Sequence, residues 1–150
     1  MSDAPHVTPG AKSVPATLLR RLAAFVYDTF LAAGLIVLYS FAIVALRGMR
    51  AVEPGSVWFG ASLIGLHALF FCWFWVHGGQ TLGMRAWRLR VERRDGGPVG
   101  WRRAAARYAA AWLSLAAAGI GFVWSLLDRE RRCWHDILTD TRVVLEPRRR

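Results

Sequence analysis

Asp28 is the residue whose setting most needs explaining. It is the one charge within residues 22–46, and a carboxylate inside an apolar, membrane-length stretch costs about 2.5–3.5 kcal/mol on insertion scales. Such a group needs a partner, a cation or a proton. Arg21 stands seven positions earlier, nearly two helical turns away and so on the same face, roughly 10 Å along the axis. Burial and a nearby guanidinium act on a carboxyl in opposite senses, which would poise Asp28 to bind a cation or a proton in alternation. The structural alternative is a fixed ion pair with Arg21 that only orients the helix.

A second acid, Asp136, follows His135 in a stretch that mixes Trp134, Ile137 and Leu138 with charges and reads as an amphipathic turn at an interface. Adjacent helical residues point about 100° apart, and no nucleophile with a supporting oxyanion site accompanies the pair. Enzyme chemistry is therefore not expected. His67 lies among apolar neighbours, where a hydrogen-bonded helix contact is favoured over a proton relay. Gln80 and Thr81 sit within residues 79–83, whose glycines permit a tight turn and whose polar side chains satisfy backbone groups at a membrane surface. Cys72 and Cys133 supply neither a disulfide framework nor metal-ligand spacing, so no metal and no cofactor is expected.

The elements that must position these residues are apolar. The chain has 150 residues, 55% of them hydrophobic, concentrated in residues 22–46, 57–76 and 108–127, each near the roughly 20 residues that a bilayer core requires. Trp58, Trp73, Trp75, Trp101, Tyr108 and Trp124 lie near the ends of these stretches, where amphipathic rings favour the headgroup layer. The fold class is an all-α integral membrane protein with two full transmembrane helices and a third apolar segment that either re-enters or spans. The first helix starts between Pro15 and Leu18 and ends near Leu46, and the second ends at His77, Gly78 and Gly79. Gly119 and Gly121 break the third. A bend there would let it return on the side it entered, whereas a straight span would place the small residues at a helix contact.

Residues 84–94 alternate as a half-buried strand, followed by turn residues Asp95, Gly96, Gly97 and Pro98. A second β-favouring run covers residues 141–145, and the two are expected to pair as a small cytoplasmic ribbon. A polar leader over residues 1–16, rich in proline, is expected to be disordered, with the membrane domain at 17–146 and a basic tail at 147–150.

The net charge of +10 comes from arginines that flank apolar stretches, a topology signal and not a nucleic-acid footprint. Both the basic connection at 85–103 and the basic tail favour the cytoplasm, which a single crossing between them cannot satisfy. Anionic lipid headgroups are the expected contacts of these arginines. Nucleic acid is not an expected partner.

These motifs, in this order, resemble the RDD family of bacterial membrane proteins, named for an arginine and two aspartates. Here those would be Arg21 and Asp28, in the run from Arg21 through Leu22, Ala23 and Ala24 to Asp28, and Asp136, in His135-Asp136-Ile137-Leu138. The run Gly79-Gln80-Thr81-Leu82-Gly83-Met84-Arg85 is similar to the family's second signature. The resemblance covers residues 18–145, and Asp140 departs from it, since the family usually has a small residue there. It implies a multi-pass inner-membrane location and a transport role, with sodium-for-proton exchange proposed for some members; it does not imply a substrate.

The resulting expectation is an inner-membrane protein with a cytoplasmic N-terminus that moves a cation or small solute as a homo-oligomer. Asp28 would be the ion or proton site, Arg21 its charge partner and gate, and Asp136 an acid paired with Arg21 or a tail arginine. Two helices and a third segment are few to enclose a pathway, so self-association would supply the missing wall. The competing expectation is a membrane-anchored interaction or assembly protein in which all three residues are structural.

Overall fold

The computed structural model describes residues 16–117, 119–128 and 132–146. The leader, except for Ala16, and the basic tail lie outside them, as do Ala118, Arg129 and Arg131. Two long helices, α1 (Leu18–Leu46) and α2 (Val57–His77), are apolar enough to cross a membrane. At 1.5 Å per residue, the 29 residues of α1 reach about 43 Å and the 21 of α2 about 31 Å, against a hydrocarbon core of about 30 Å. Their outer faces carry large exposed side chains: Phe30 is 76% exposed, Leu38 66% and Val57 83%. Apolar surface of this extent belongs against lipid and not water.

α1 buries only Ala24, Asp28 and Ala32, a four-residue spacing that forms one stripe. Against that stripe lies α3 (Leu82–Ala86), a short helix capped by Thr81, whose hydroxyl accepts the Met84 N–H at 3.2 Å. Gly83 makes the approach feasible. A Cβ there would strike the Ala24 carbonyl oxygen and come within 2.9 Å of the Asp28 carboxyl.

Alternation from residue 84 onward predicts a strand, but its first part is α3. The Thr81 cap starts a helical turn before the strand can begin, and Trp87 is 43% exposed. The strand β1 spans Leu89–Arg93 and pairs antiparallel with β2 (Thr141–Leu145), placing Val91 opposite Val143. Leu89 and Val91 are 1% exposed and anchor the core. The sequence assigns Ala16 to the leader, yet it is buried and donates its N–H to the Val143 oxygen at 3.1 Å.

Between the strands runs α4 (Trp101–Ala116), which buries Ala104, Arg107, Ala110 and Ser114. It begins seven residues before the uncharged stretch and does not continue straight through it. Gly119, at φ +77°, donates to the Ser114 oxygen at 3.1 Å, the left-handed ending that glycine favours. The short α5 (Ile120–Val123) then lies against α4, with Gly121 so close to Ser114 that no side chain would fit. A 3₁₀ turn (Trp124–Leu126) and α6 (Trp134–Leu138) lead into β2. Asp140, where the resemblance calls for a small residue, adopts φ 51° and its carbonyl accepts the Arg94 N–H at 3.1 Å; aspartate is among the residues that tolerate this region.

Close approach at Gly83 yields the first prediction. Gly83→Val should separate α3 from α1 and lower stability by about 1–3 kcal/mol, the usual range for overpacking, seen as a lower melting temperature in detergent. An unchanged melting temperature would contradict the packing.

Candidate functional site

Asp136 occupies the third helical position of α6, and its carboxylate turns back to accept the Cys133 N–H at 2.9 Å, closing a capping box. That leaves a fully buried carboxylate at the end of α6, where α1, α4 and β2 converge. Two guanidiniums meet it. Arg21 Nη1 donates to Oδ2 and Arg107 Nη1 donates to Oδ1, each at 2.5 Å. Arg107 Nη1 also donates to the Thr141 hydroxyl at 2.6 Å, and Arg21 Nη2 donates to the Val143 oxygen at 3.4 Å. Thr139 continues the network, 2.9 Å from the Thr141 hydroxyl and donating to the His135 carbonyl at 2.6 Å.

Electrostatics follow from this geometry. Burial alone would raise the Asp136 pKa, but Arg107, His135 and Arg21 together with the Cys133 amide outweigh it and hold the carboxyl below its usual range. For His135, burial and then the Arg107 charge push the imidazole down to about 3, despite the opposing carboxylate 3.7 Å away. Burial likewise raises the Cys133 thiol, so it is not an activated thiolate. Cys133, His135 and Asp136 do present ligand atoms within 4.8 Å of one another. Two guanidiniums and an amide already occupy the carboxylate oxygens, however, and their positive charge opposes a metal ion there.

Asp28 belongs to a different cluster. The Thr81 hydroxyl donates to Oδ2 at 2.5 Å and the Gly83 N–H to Oδ1 at 2.8 Å. The Arg21–Asp28 pair is therefore corrected: Arg21 is committed to Asp136, and Asp28 has no ion-pair partner among the described residues. The guanidinium bends toward α6 because Asp136 offers a charge there, whereas Asp28 receives neutral donors from α3.

Between the two clusters opens a cavity of about 360 Å³. Asp28, Thr81, Arg21, Arg107 and His135 line it, with α2 supplying Phe71, Trp75 and His67. His67 Nδ1 lies 2.7 Å from the Tyr108 hydroxyl and joins α2 to α4, a helix contact as its setting predicts. Gln80 sits apart from the cavity lining and donates to the Leu89 carbonyl at 2.7 Å and to Glu146 at 3.2 Å, supporting the ribbon.

Arg107 is the principal residue that sequence reasoning missed. It adjoins Arg102 and Arg103 in a basic run, but its spacing from Ala104, Ala110 and Ser114 places it on the small-residue stripe of α4. An arginine on such a stripe is a signal of burial. Gly83, which binds Asp28 through its backbone, reads in the sequence only as a turn glycine of residues 79–83.

The RDD family model matches residues 15–140. No curated protein and no solved structure matches the chain.

His135 generates a pH prediction. Its folded value lies below the unfolded one near 6.5, so unfolding takes up a proton between them. The stability it contributes is complete above about pH 6.5 and is lost as pH falls toward 3. Melting in detergent should therefore drop progressively below pH 6.5, and His135→Asn should flatten that slope down to pH 5. An identical slope in the variant would contradict a neutral buried imidazole.

Proposed function

The chain belongs to the RDD family, and on that premise we propose that it is an inner-membrane transport protein, with Asp28 as the cation- or proton-binding group. One observation carries this reading. Asp28 is 2% exposed, lines a half-open cavity, and has only neutral donors around it among the described residues. A carboxylate neutralised by arginine would have little reason to exchange a cation, whereas one held by a hydroxyl and an amide retains lone pairs facing the cavity. Intramembrane carboxylates in this state mark ion and proton pathways.

Topology fits the same reading. α4 ends at Ala116 and, past Gly119, α5 folds back on Ser114, which favours a segment that re-enters and keeps the basic connection and tail on the cytoplasmic side with the N-terminus. Exposed apolar faces on α1 and α2 leave room for a second copy to complete the pathway wall, and the arginines of the connection would rest on anionic headgroups.

A second reading has its own support. The two bonds at Asp28 also fasten α3 to α1, so this carboxylate, with Arg21 and Asp136, would serve an assembly or interaction protein without any flux. The two readings separate in vesicles. Wild type and Asp28→Asn are reconstituted at equal folded abundance, and internal pH is recorded after sodium or potassium pulses. Transport predicts a proton flux in the wild type that is lost in a folded Asn variant. Absence of flux from both, or an Asn variant that does not accumulate, favours the assembly reading.

A further inference from the structure

The Arg107 guanidinium spends one nitrogen on its partners. Nη1 serves both Asp136 and Thr141, while Nε is buried without an acceptor and Nη2 makes no hydrogen bond among the described residues. Nε–H and Nη2–H form the side-on edge of a guanidinium, the fork that takes a carboxylate or phosphate in two parallel bonds. Beside it, Trp75 holds its ring 5.3 Å from the Arg107 Cζ, and its indole Nε1 is also buried without an acceptor. Arg21 Nε is in the same condition. Buried donors of this kind are rare and call for an explanation, and all three residues line the one cavity.

The rest of that lining selects the ligand's other end. Ala24, Phe25, Phe71, Ala111 and Leu115 present carbon to the space, and its volume of about 360 Å³ falls in the lower part of the range for ligand sites, roughly 300–1,000 Å³. Phe25 and Leu115 line the cavity and are 43% and 47% exposed, so they form an open, apolar margin. We propose that it binds a single-chain anionic amphiphile. The oxyanion head, carboxylate or phosphate, would sit in the Arg107 fork and accept the Trp75 N–H, with the apolar chain leaving past Phe25 or Leu115 into lipid. This site stands on the cavity and its unmatched donors and needs no ion at Asp28.

The test uses the full chain in phosphatidylcholine nanodiscs with dansyl-labelled undecanoate as the fluorescent probe. Palmitate, hexadecyl phosphate, 1-hexadecanol and inorganic phosphate are the competitors. Palmitate or hexadecyl phosphate should displace the probe, the stronger of the two identifying the preferred head, and the neutral alcohol and bare phosphate should not. Trp75→Phe keeps an aromatic ring, though a smaller one, and loses the donor, so it should weaken binding about tenfold, as expected for a hydrogen bond to a charged group. Ala111→Trp, one turn beyond Arg107 on α4, fills the space and should abolish binding; helical content by circular dichroism checks that both variants fold. Displacement by hexadecanol as effective as by palmitate would overturn the anion fork, and displacement by inorganic phosphate would overturn the need for an apolar chain. Wild-type affinity in both folded variants would place the probe elsewhere and sink the proposal.

Discussion

The buried carboxylate of Asp136 is the constraint on which the rest depends. It gathers a guanidinium from α1, another from α4, the amide of Cys133 that caps its own helix and, through those arginines, a hydroxyl and a carbonyl of β2. Taking these charges out of water costs several kcal/mol per ion, and only a complete set of partners offsets it. The cluster therefore tolerates one arrangement. Removing one partner from such a set typically costs 3–5 kcal/mol because the remaining charge is stranded.

Consequences spread from there to the cavity. Because Arg21 is committed to Asp136, Asp28 is left to Thr81 and Gly83, and α3 is drawn onto α1. Because Arg107 gives one nitrogen to the same carboxylate, its outer edge finds no acceptor among the described residues. Both features border one space. Away from this end, α1 and α2 bury few residues and expose large apolar side chains, so the bilayer, and not a protein core, must serve as their solvent. Buried side chains are concentrated around the ribbon, and the far ends of α1 and α2 have little intramolecular packing.

Much of this was legible in the sequence. Hydropathy located both long helices, β-propensity located both strands of the ribbon, and the glycines at 119 and 121 marked the break in the third apolar stretch. Arg21, Asp28 and Asp136 stood out as charges that apolar surroundings would not tolerate alone. The Arg21–Asp136 pair was one of two partners expected for Asp136, but Arg21 was also assigned to Asp28. Helical spacing put Arg21 and Asp28 on one face, but a charge on α6, distant in sequence, outcompeted a neighbour two turns away. Period-two alternation over residues 84–94 concealed α3, whose start is decided by a single threonine cap. Arg107 was hidden by its company, since a basic run reads as solvated until the helix that carries it is oriented.

Whether Arg21 belongs to Asp136 and not to Asp28 is decided by a pair of double-mutant cycles. Unfolding in detergent is measured for Arg21→Gln, Asp136→Asn and Asp28→Asn, singly and in the two combinations with Arg21. The Arg21–Asp136 pairing predicts coupling of about 1–3 kcal/mol between these two residues and additivity within about 0.5 kcal/mol between Arg21 and Asp28. Strong coupling of Arg21 to Asp28 with additivity toward Asp136 would contradict it.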